Sequence, residues 1–311
     1  MGTPKFAAVG LEKLINNNYN IAAVFTKADK PKGRGYKVEY SEVKQLALNY
    51  GLTIHQPVSL KKTEVIQTIK DIKPDLIVVI AYGRILPKEV LEIPKFGCIN
   101  IHGSLLPKYR GAAPVQWSVI NGEKYAGVTS MFMDEGLDTG DMILQEKLLI
   151  NQDETSSELL ERLSYVSAET LIKTLQVFEA GNVKRIIQND EESTLAPILQ
   201  KELSYITFNK PALEVHNMIR GINPWPVAKV DFKGKVLKVY RTKVYSIDNH
   251  HKKPGEILDN QKFIVACSSG SLEFLEVQIE GGKKMSGRDF LLGHKIDEGD
   301  FILEKSQNNE L

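Results

Sequence analysis

Cysteine is nearly absent from this sequence: Cys98 and Cys267 stand alone and far apart. Two such residues make neither a disulfide framework nor a metal-ligand spacing, and that usage fits a reducing cytoplasm. Long apolar runs are missing as well. No stretch approaches about 18 consecutive apolar residues, and no charged-then-apolar leader is visible. Neither charge is in excess, since 40 Lys and Arg stand against 39 Asp and Glu for a net charge of +1. General affinity for nucleic acid or membranes is therefore not expected, and any RNA binding must come from local patches. No G-x-G-x-x-G follows a strand and no G-x-x-x-x-G-K-[ST] occurs, which weighs against NAD and ATP. Repeats and low-complexity tracts do not occur either. What is present, 42% hydrophobic residues over 311 positions, can bury a substantial core without staples. The expectation is a soluble cytoplasmic protein of two domains.

Hydrophobic periodicity sets out the first domain. Phe6 to Asn16 reads as a helix and Ile21 to Phe25 as a strand, followed by a helix at Ser41 to Asn49. A strand near Leu52 to His55, a helix near Thr63 to Lys70, the strand Asp75 to Ile80 and a short helix from Pro87 come next. The β-α-β-α-β order argues a parallel, doubly wound sheet. Pro114 to Asn121 then reads as a helix, Gly127 to Met133 and Met142 to Ile150 as strands, and Thr155 to Ala180 as a long amphipathic helix.

Beyond a polar stretch at Gln188 to Thr194 the pattern changes. Lys210 to Arg220 reads as a helix, and G-I-N-P-W-P breaks it at Gly221 to Pro226. Short alternating segments follow, V-A-K-V-D-F, K-V-L-K-V-Y, K-F-I-V-A-C, S-L-E-F-L-E-V and D-F-I-L, and they argue a small β-barrel. Charge is divided within this region. Lys210 to Lys253 carries ten basic residues against three acidic, whereas Glu256 to Glu310 carries six against eleven. The basic half is what an RNA-backbone surface needs, although lysines scattered on strands are commonly just a solvent face.

The chain is organised around Asn100 to Arg110, N-I-H-G-S-L-L-P-K-Y-R. Alternate residues of a strand share a face, so Asn100 and His102 point the same way as a buried strand ends. In open α/β sheets that rim is where ligands bind. Ser104, Leu105, Leu106 and Pro107 then place apolar residues in a loop that should be polar, which suits a flat aromatic ligand. Of the six histidines only His102 sits in such a pattern, and Trp117 and Trp225 read as packing residues. Elsewhere, Thr26 to Tyr40 is a long polar connection with five basic residues, Lys27, Lys30, Lys32, Arg34 and Lys37, and glycines on both sides of Arg34. Such a loop can mould to a phosphate backbone or be simply solvated.

Asn100, His102 and Asp138, with S-L-L-P and the flanking Y-R-G-A-A-P, resemble the signature of the formyltransferases that use 10-formyltetrahydrofolate. The likeness is closest to the branch acting on methionyl-tRNA, and it runs from Met1 almost to the C-terminus. It implies a Rossmann-like, mostly parallel doubly wound sheet in a catalytic domain at 1–187. A linker at 188–204 and an OB-like, tRNA-binding barrel at 205–311 are implied to follow. By the same resemblance Asn100, His102 and Asp138 are catalytic, Ser104 to Pro107 line the pterin pocket, and Lys30, Lys32, Arg34 and Lys37 meet the tRNA acceptor stem. The implied partners are initiator methionyl-tRNA and 10-formyltetrahydrofolate as formyl donor, with no metal, no membrane and a monomeric protein.

Two departures accompany the resemblance. The proline-rich run that follows the family's basic loop is replaced by Val38-Glu39-Tyr40-Ser41-Glu42, and no strand precedes the turn Met1-Gly2-Thr3-Pro4. In the resembled family a short apolar strand stands there, mid-sheet, so the expectation is that several upstream residues belong to the natural protein. Alternatives stay open. Sugar-nucleotide N-formyltransferases share the Asn/His/Asp core, glycinamide ribonucleotide formyltransferases end after the first domain, and a folate- or RNA-binding protein without catalysis is a further class.

Overall fold

The computed structural model describes residues 1–32, 37–249 and 251–304, for 30–32, 37 and 38 by backbone alone. The chain divides into two compact units. Met1–Pro114, Ala126–Leu148 and Leu160–Ala196 form unit 1, and Val115–Tyr125, Leu149–Leu159 and Pro197–Leu311 form unit 2.

 Unit 2 thus takes its second stretch from Leu149 to Leu159.

Unit 1 opens with helix α1 (Lys5–Asn16), strand β1 (Val24–Phe25) and a hairpin of β2 (Lys30–Lys32) with β3 (Lys37–Glu39). Helix α2 (Glu42–Asn49) starts where the Ser41 hydroxyl accepts from Lys44 N, an N-cap that satisfies one orphan amide. Strand β4 (Ile54–His55), helix α3 (Thr63–Ile72), strand β5 (Ile77–Val79), helix α4 (Lys88–Leu91) and strand β6 (Cys98–His102) follow. Next in chain order are β7 (Arg110–Gly111), α5 (Pro114–Ile120), β8 (Tyr125–Phe132), β9 (Met142–Leu149), α6 (Ser156–Glu179) and β10 (Leu195–Ala196), of which α5 after Pro114 and the first four residues of α6 belong to unit 2. β1 pairs with β4 and β5 with β6 in parallel, while β6 pairs with β8 antiparallel, in the order β5-β6-β8-β9. The sheet is therefore parallel and Rossmann-like on one side and mixed on the other. Buried Phe25, Ile69, Ile77, Val79, Val90 and Cys98 pack as one apolar cluster beneath it.

Between β1 and β5 the sheet is held by two residues. Gly2 N donates to Phe25 O at 2.9 Å, Ile80 N donates to Met1 O at 2.9 Å, and Gly2 forms a single parallel bridge with Ile80. The Met1 ammonium donates to Val78 O, and burial lowers its pKa to about 5. A cavity of about 750 Å³, lined among others by Met1, Leu11, Ile21, Phe25, Ile77 and Phe178, adjoins these residues. It lies toward the amino ends of β1 and β5, and Asn100 and His102 do not line it.

Unit 2 adds helix α7 (Ala212–Gly221) and strands β11 (Ala228–Phe232), β12 (Lys235–Ser246), β13 (Ile257–Asp259), β14 (Ile264–Ala266), β15 (Ser271–Ile279) and β16 (Met285–Ser286), then helix α8 (Gly287–Gly293). These strands form an antiparallel sheet, β11-β12-β15-β14-β13, with β16 on β15. The sequence predicts a small β-barrel here, and the strand order observed does not close into one. Among the described residues, the segment at Phe301 and Leu303 makes isolated bridges to Glu256 and Asp231, next to the two ends of this order, instead of a continuous strand. Phe263, Phe274 and Phe290 fill the core. Trp225, expected to pack, is 51% exposed, because the prolines on both sides of it keep the chain out of α7 and β11.

His216 of α7 is 1% exposed, with Nδ1 2.9 Å from Thr242 Oγ1 and Nε2 3.3 Å from Gln152 O. Burial lowers its pKa, Arg220 adds to that, and the Gln152 carbonyl and Asp153 oppose it. The unfolded chain therefore takes up this proton at a higher pH than the native protein does. Stability is expected to fall as pH drops below the ordinary histidine range of about 6.5. Urea unfolding between pH 7.5 and 5.5 checks this, with a shallower pH slope expected in His216→Gln and an unchanged slope counting against it.

Candidate active site

Strand β6 runs C-I-N-I-H with Ile99 and Ile101 buried on one face, so Asn100 and His102 share the other. The β6–β8 register sets Asn100 opposite Met131 and His102 opposite Thr129. His102 is 6% exposed, and its Nε2 lies 2.9 Å from the carbonyl of Tyr109. A carbonyl only accepts, so in the neutral ring Nε2 carries the proton and Nδ1 keeps its lone pair. Nδ1 lies 3.7 Å from Asp138 Oδ2, beyond direct hydrogen bonding.

Asp138 occupies the turn between β8 and β9 with a left-handed backbone, φ 54°. Its Oδ1 accepts from Asn100 Nδ2 at 3.3 Å and its Oδ2 from the Gly111 amide at 2.9 Å. The three polar residues singled out in the sequence thus converge in unit 1. Gly111, at φ 124°, belongs to β7, which pairs in parallel with β10. A Cβ on Gly111 would sit 2.8 Å from Ala196 O, so only glycine lets the two backbones approach this closely.

The S-L-L-P loop is anchored from the strand facing β6. The hydroxyl of Thr129, fully buried, donates to Ser104 O at 2.7 Å and accepts from Leu106 N at 3.1 Å. Gln145 Nε2 donates to Leu106 O at 2.7 Å and to Thr129 Oγ1 at 3.0 Å. Ser104 and Leu106 turn inward, at 3% exposure each, and Ser104 Oγ donates to Lys108 O. Leu105 and Pro107 stay half-buried.

Lys30, Lys32 and Lys37 fall in the β2–β3 hairpin, with Lys32 in register with Lys37. Arg34 lies outside the described residues, as do the side chains of those three lysines. Among the described residues no group of three His, Cys, Asp or Glu is placed to hold a metal ion. No described helix is long and apolar enough to cross a membrane. Cys98 and Cys267 are buried, which pushes both thiols up to about 12.

Sequence reasoning missed Thr129, Gln145, Tyr109, Arg110 and Gln188 as contributors. Thr129 carried one usable signal, a polar residue inside the apolar strand G-V-T-S-M-F. Arg110 lay inside the quoted motif without a role, and Gln188 had only its place in a polar stretch after α6.

Comparison with known proteins gives the family. Residues 1–175 match the family model described as formyl transferase, and residues 198–295 match that of the formyl transferase C-terminal domain. A methionyl-tRNA formyltransferase of Acetivibrio thermocellus is 46% identical over 304 residues, covering 97% of this chain and 98% of that protein. One from Alkaliphilus oremlandii is 47% identical over 306 residues, 98% of each chain. Among solved structures, WlaRD, a sugar 3N-formyl transferase crystallised in the presence of dTDP and 5-N-formyl-THF, superimposes with a TM-score of 0.64 at 22% identity. That likeness covers 91% of this chain and 96% of WlaRD, and it concerns the fold.

Proposed function

The chain belongs to the formyl transferase family, within it to the methionyl-tRNA formyltransferases, and from that membership we propose that it formylates initiator methionyl-tRNA for translation initiation. The formyl group comes from 10-formyltetrahydrofolate, consumed as co-substrate, and goes to the free amino group of the esterified methionine. The observation that carries the site assignment is the convergence of Asn100, His102 and Asp138 at the carboxyl end of β6.

Formyl transfer to an amine needs a neutral nucleophile, stabilisation of the oxyanion that forms at the formyl oxygen, and movement of one proton from the attacking amine to the folate N10 as the bond from the formyl carbon to N10 breaks. Asn100 serves the second need. One N–H of its amide points at Asp138 Oδ1, and the other is free in valence to donate to the developing oxyanion. His102 serves the third, because its Nδ1 presents a lone pair on the side of Asp138. Asp138, aligned by the Gly111 amide, stabilises the imidazolium that results or passes the proton through water. The half-buried Leu105 and Pro107 suit one face of a flat pterin. Backbone groups of the neighbouring loops would read the pterin's amide edge. The formyl group arrives activated, so positioning supplies most of the rate.

We assign the chemistry to residues 1–187, and tRNA contact to Lys30, Lys32, Arg34 and Lys37 together with the basic first half of an OB-like domain at 205–311. The working location is the cytosol, and the working state is a monomer. The test is transfer of radiolabelled formyl from 10-formyltetrahydrofolate, with charged initiator methionyl-tRNA, uncharged tRNA and an amino-sugar nucleotide as alternative acceptors. Label is expected on the charged tRNA alone. Label on the sugar nucleotide in its place, or on neither while the protein is folded and binds folate, overturns the reading.

A further inference from the structure

The side chain of Gln188, in the coil after α6, has all its hydrogen-bonding capacity committed around Asp138. Its Oε1 accepts from Arg110 Nε at 3.0 Å and from Arg110 Nη2 at 2.8 Å. Its Nε2 donates to Asp138 O at 2.9 Å and to Gly140 O at 2.7 Å. Both residues are 7% exposed, so water does not readily replace these bonds. We propose that Gln188, locked by Arg110, is a positioning residue that holds the Asp138 carboxylate in place for the reaction.

The network closes on itself. From the Asp138 carbonyl it runs through the Gln188 amide to the Arg110 guanidinium, along the backbone to Gly111, and back through the Gly111 amide to Asp138 Oδ2. Asp138 is thereby held at its backbone and at its carboxylate together. The two holds offset the cost of a left-handed aspartate, on the order of 1 kcal/mol. The same stretch of chain also steadies His102. Thr194 Oγ1 accepts from Tyr109 N at 2.9 Å, and Tyr109, itself left-handed at φ 62°, offers its carbonyl to His102 Nε2.

The chemistry of the pairing leaves one side-chain type. A guanidinium only donates and the two turn carbonyls only accept, so the bridge must accept at one end and donate twice at the other. Glutamine does this. Glutamate of the same length would keep the Arg110 side but set an oxygen against two carbonyl oxygens. Methionine would keep the volume and lose all four bonds. The Asp138 to His102 gap of 3.7 Å is the quantity at stake, since misplacement by about 1 Å at a reacting centre can cost on the order of 10² in rate.

The inference rests on the reading of Asp138 as a group in the reaction, and a double-mutant cycle separates the two. Gln188→Met and Gln188→Glu are made in the parent and in Asp138→Asn, with kcat and both KM values for formyl transfer to methionyl-tRNA and the melting temperature measured for each. In the parent, both Gln188 variants are expected to lose roughly 10- to 100-fold in kcat, with KM for 10-formyltetrahydrofolate changed by less than about threefold. In Asp138→Asn the same substitutions are expected to change kcat by less than about twofold. Equal losses in both backgrounds assign Gln188 to general stability and overturn the proposal. Parental kcat in a folded Gln188→Glu also overturns it, and the reading of Asp138 survives if Asp138→Asn is itself impaired. A parental rate in Asp138→Asn removes both. If Gln188→Met does not fold, Gln188→Glu carries the cycle, since it keeps the Arg110 partner.

Discussion

His102→Ala is expected to turn over methionyl-tRNA at least about 10²-fold more slowly than the parent while keeping its fold and its affinity for folate. The substitution removes the one imidazole at the carboxyl end of β6, and with it the Nδ1 lone pair that faces Asp138. It leaves Ile99 and Ile101, on the opposite face of the strand, in their buried positions. The loss should therefore fall on kcat, because a proton acceptor matters when the amine attacks and contributes little to ground-state binding. Single-turnover transfer at saturating formyl donor, run beside circular dichroism, makes the measurement. A folded variant with parental turnover would remove His102 from the mechanism and leave Asn100 and Asp138 to account for the rate.

Thr129→Val is the second large effect, and it acts through the loop instead of the chemistry. Valine has nearly the shape of threonine, so no cavity opens. What is lost is a hydroxyl that donates to Ser104 O and accepts from Leu106 N and Gln145 Nε2. At a fully buried position, partners left unsatisfied cost about 1–3 kcal/mol each. Partial relaxation puts the expected loss of unfolding free energy at about 3 kcal/mol. The S-L-L-P loop keeps the bond from Gln145 but loses both of its bonds to Thr129, and KM for 10-formyltetrahydrofolate should rise roughly tenfold, equivalent to about 1.4 kcal/mol. Thr129→Ser, which keeps the hydroxyl, should restore most of both. Loss of stability with KM unchanged would mean that this loop does not form the folate wall.

Much of unit 1 was legible because its signals are local. The helices expected at Phe6 to Asn16 and Ser41 to Asn49 fall within one residue of the observed Lys5–Asn16 and Glu42–Asn49. Period 2 placed Asn100 and His102 on one face of β6. In unit 2 the helix Gly287–Gly293 and the strand Ile257–Asp259 went unseen. One is seven residues long and the other three, too short for a period to emerge from either. The segment D-F-I-L read as a strand, yet it makes only isolated bridges, because its partners Asp231 and Glu256 lie on different edges.

The site divides along the same line. The sequence by itself determined the chemical types, an amide, an imidazole and a carboxylate, together with the strand end at which the first two emerge and the family they resemble. Tertiary structure alone decided that Tyr109 O sets the tautomer of His102 and that Leu105 and Pro107, unlike Ser104 and Leu106, stay half-buried. It also decided that Gln188 secures Asp138 from 50 residues away, and that Thr194 meets Tyr109 across 85. The physical reason is range. Helix periods, strand alternation and caps arise between near neighbours and leave a pattern in the letters. A hydrogen bond between distant residues exists only once the fold has returned one stretch of chain to the other, and nothing in either stretch alone records that return.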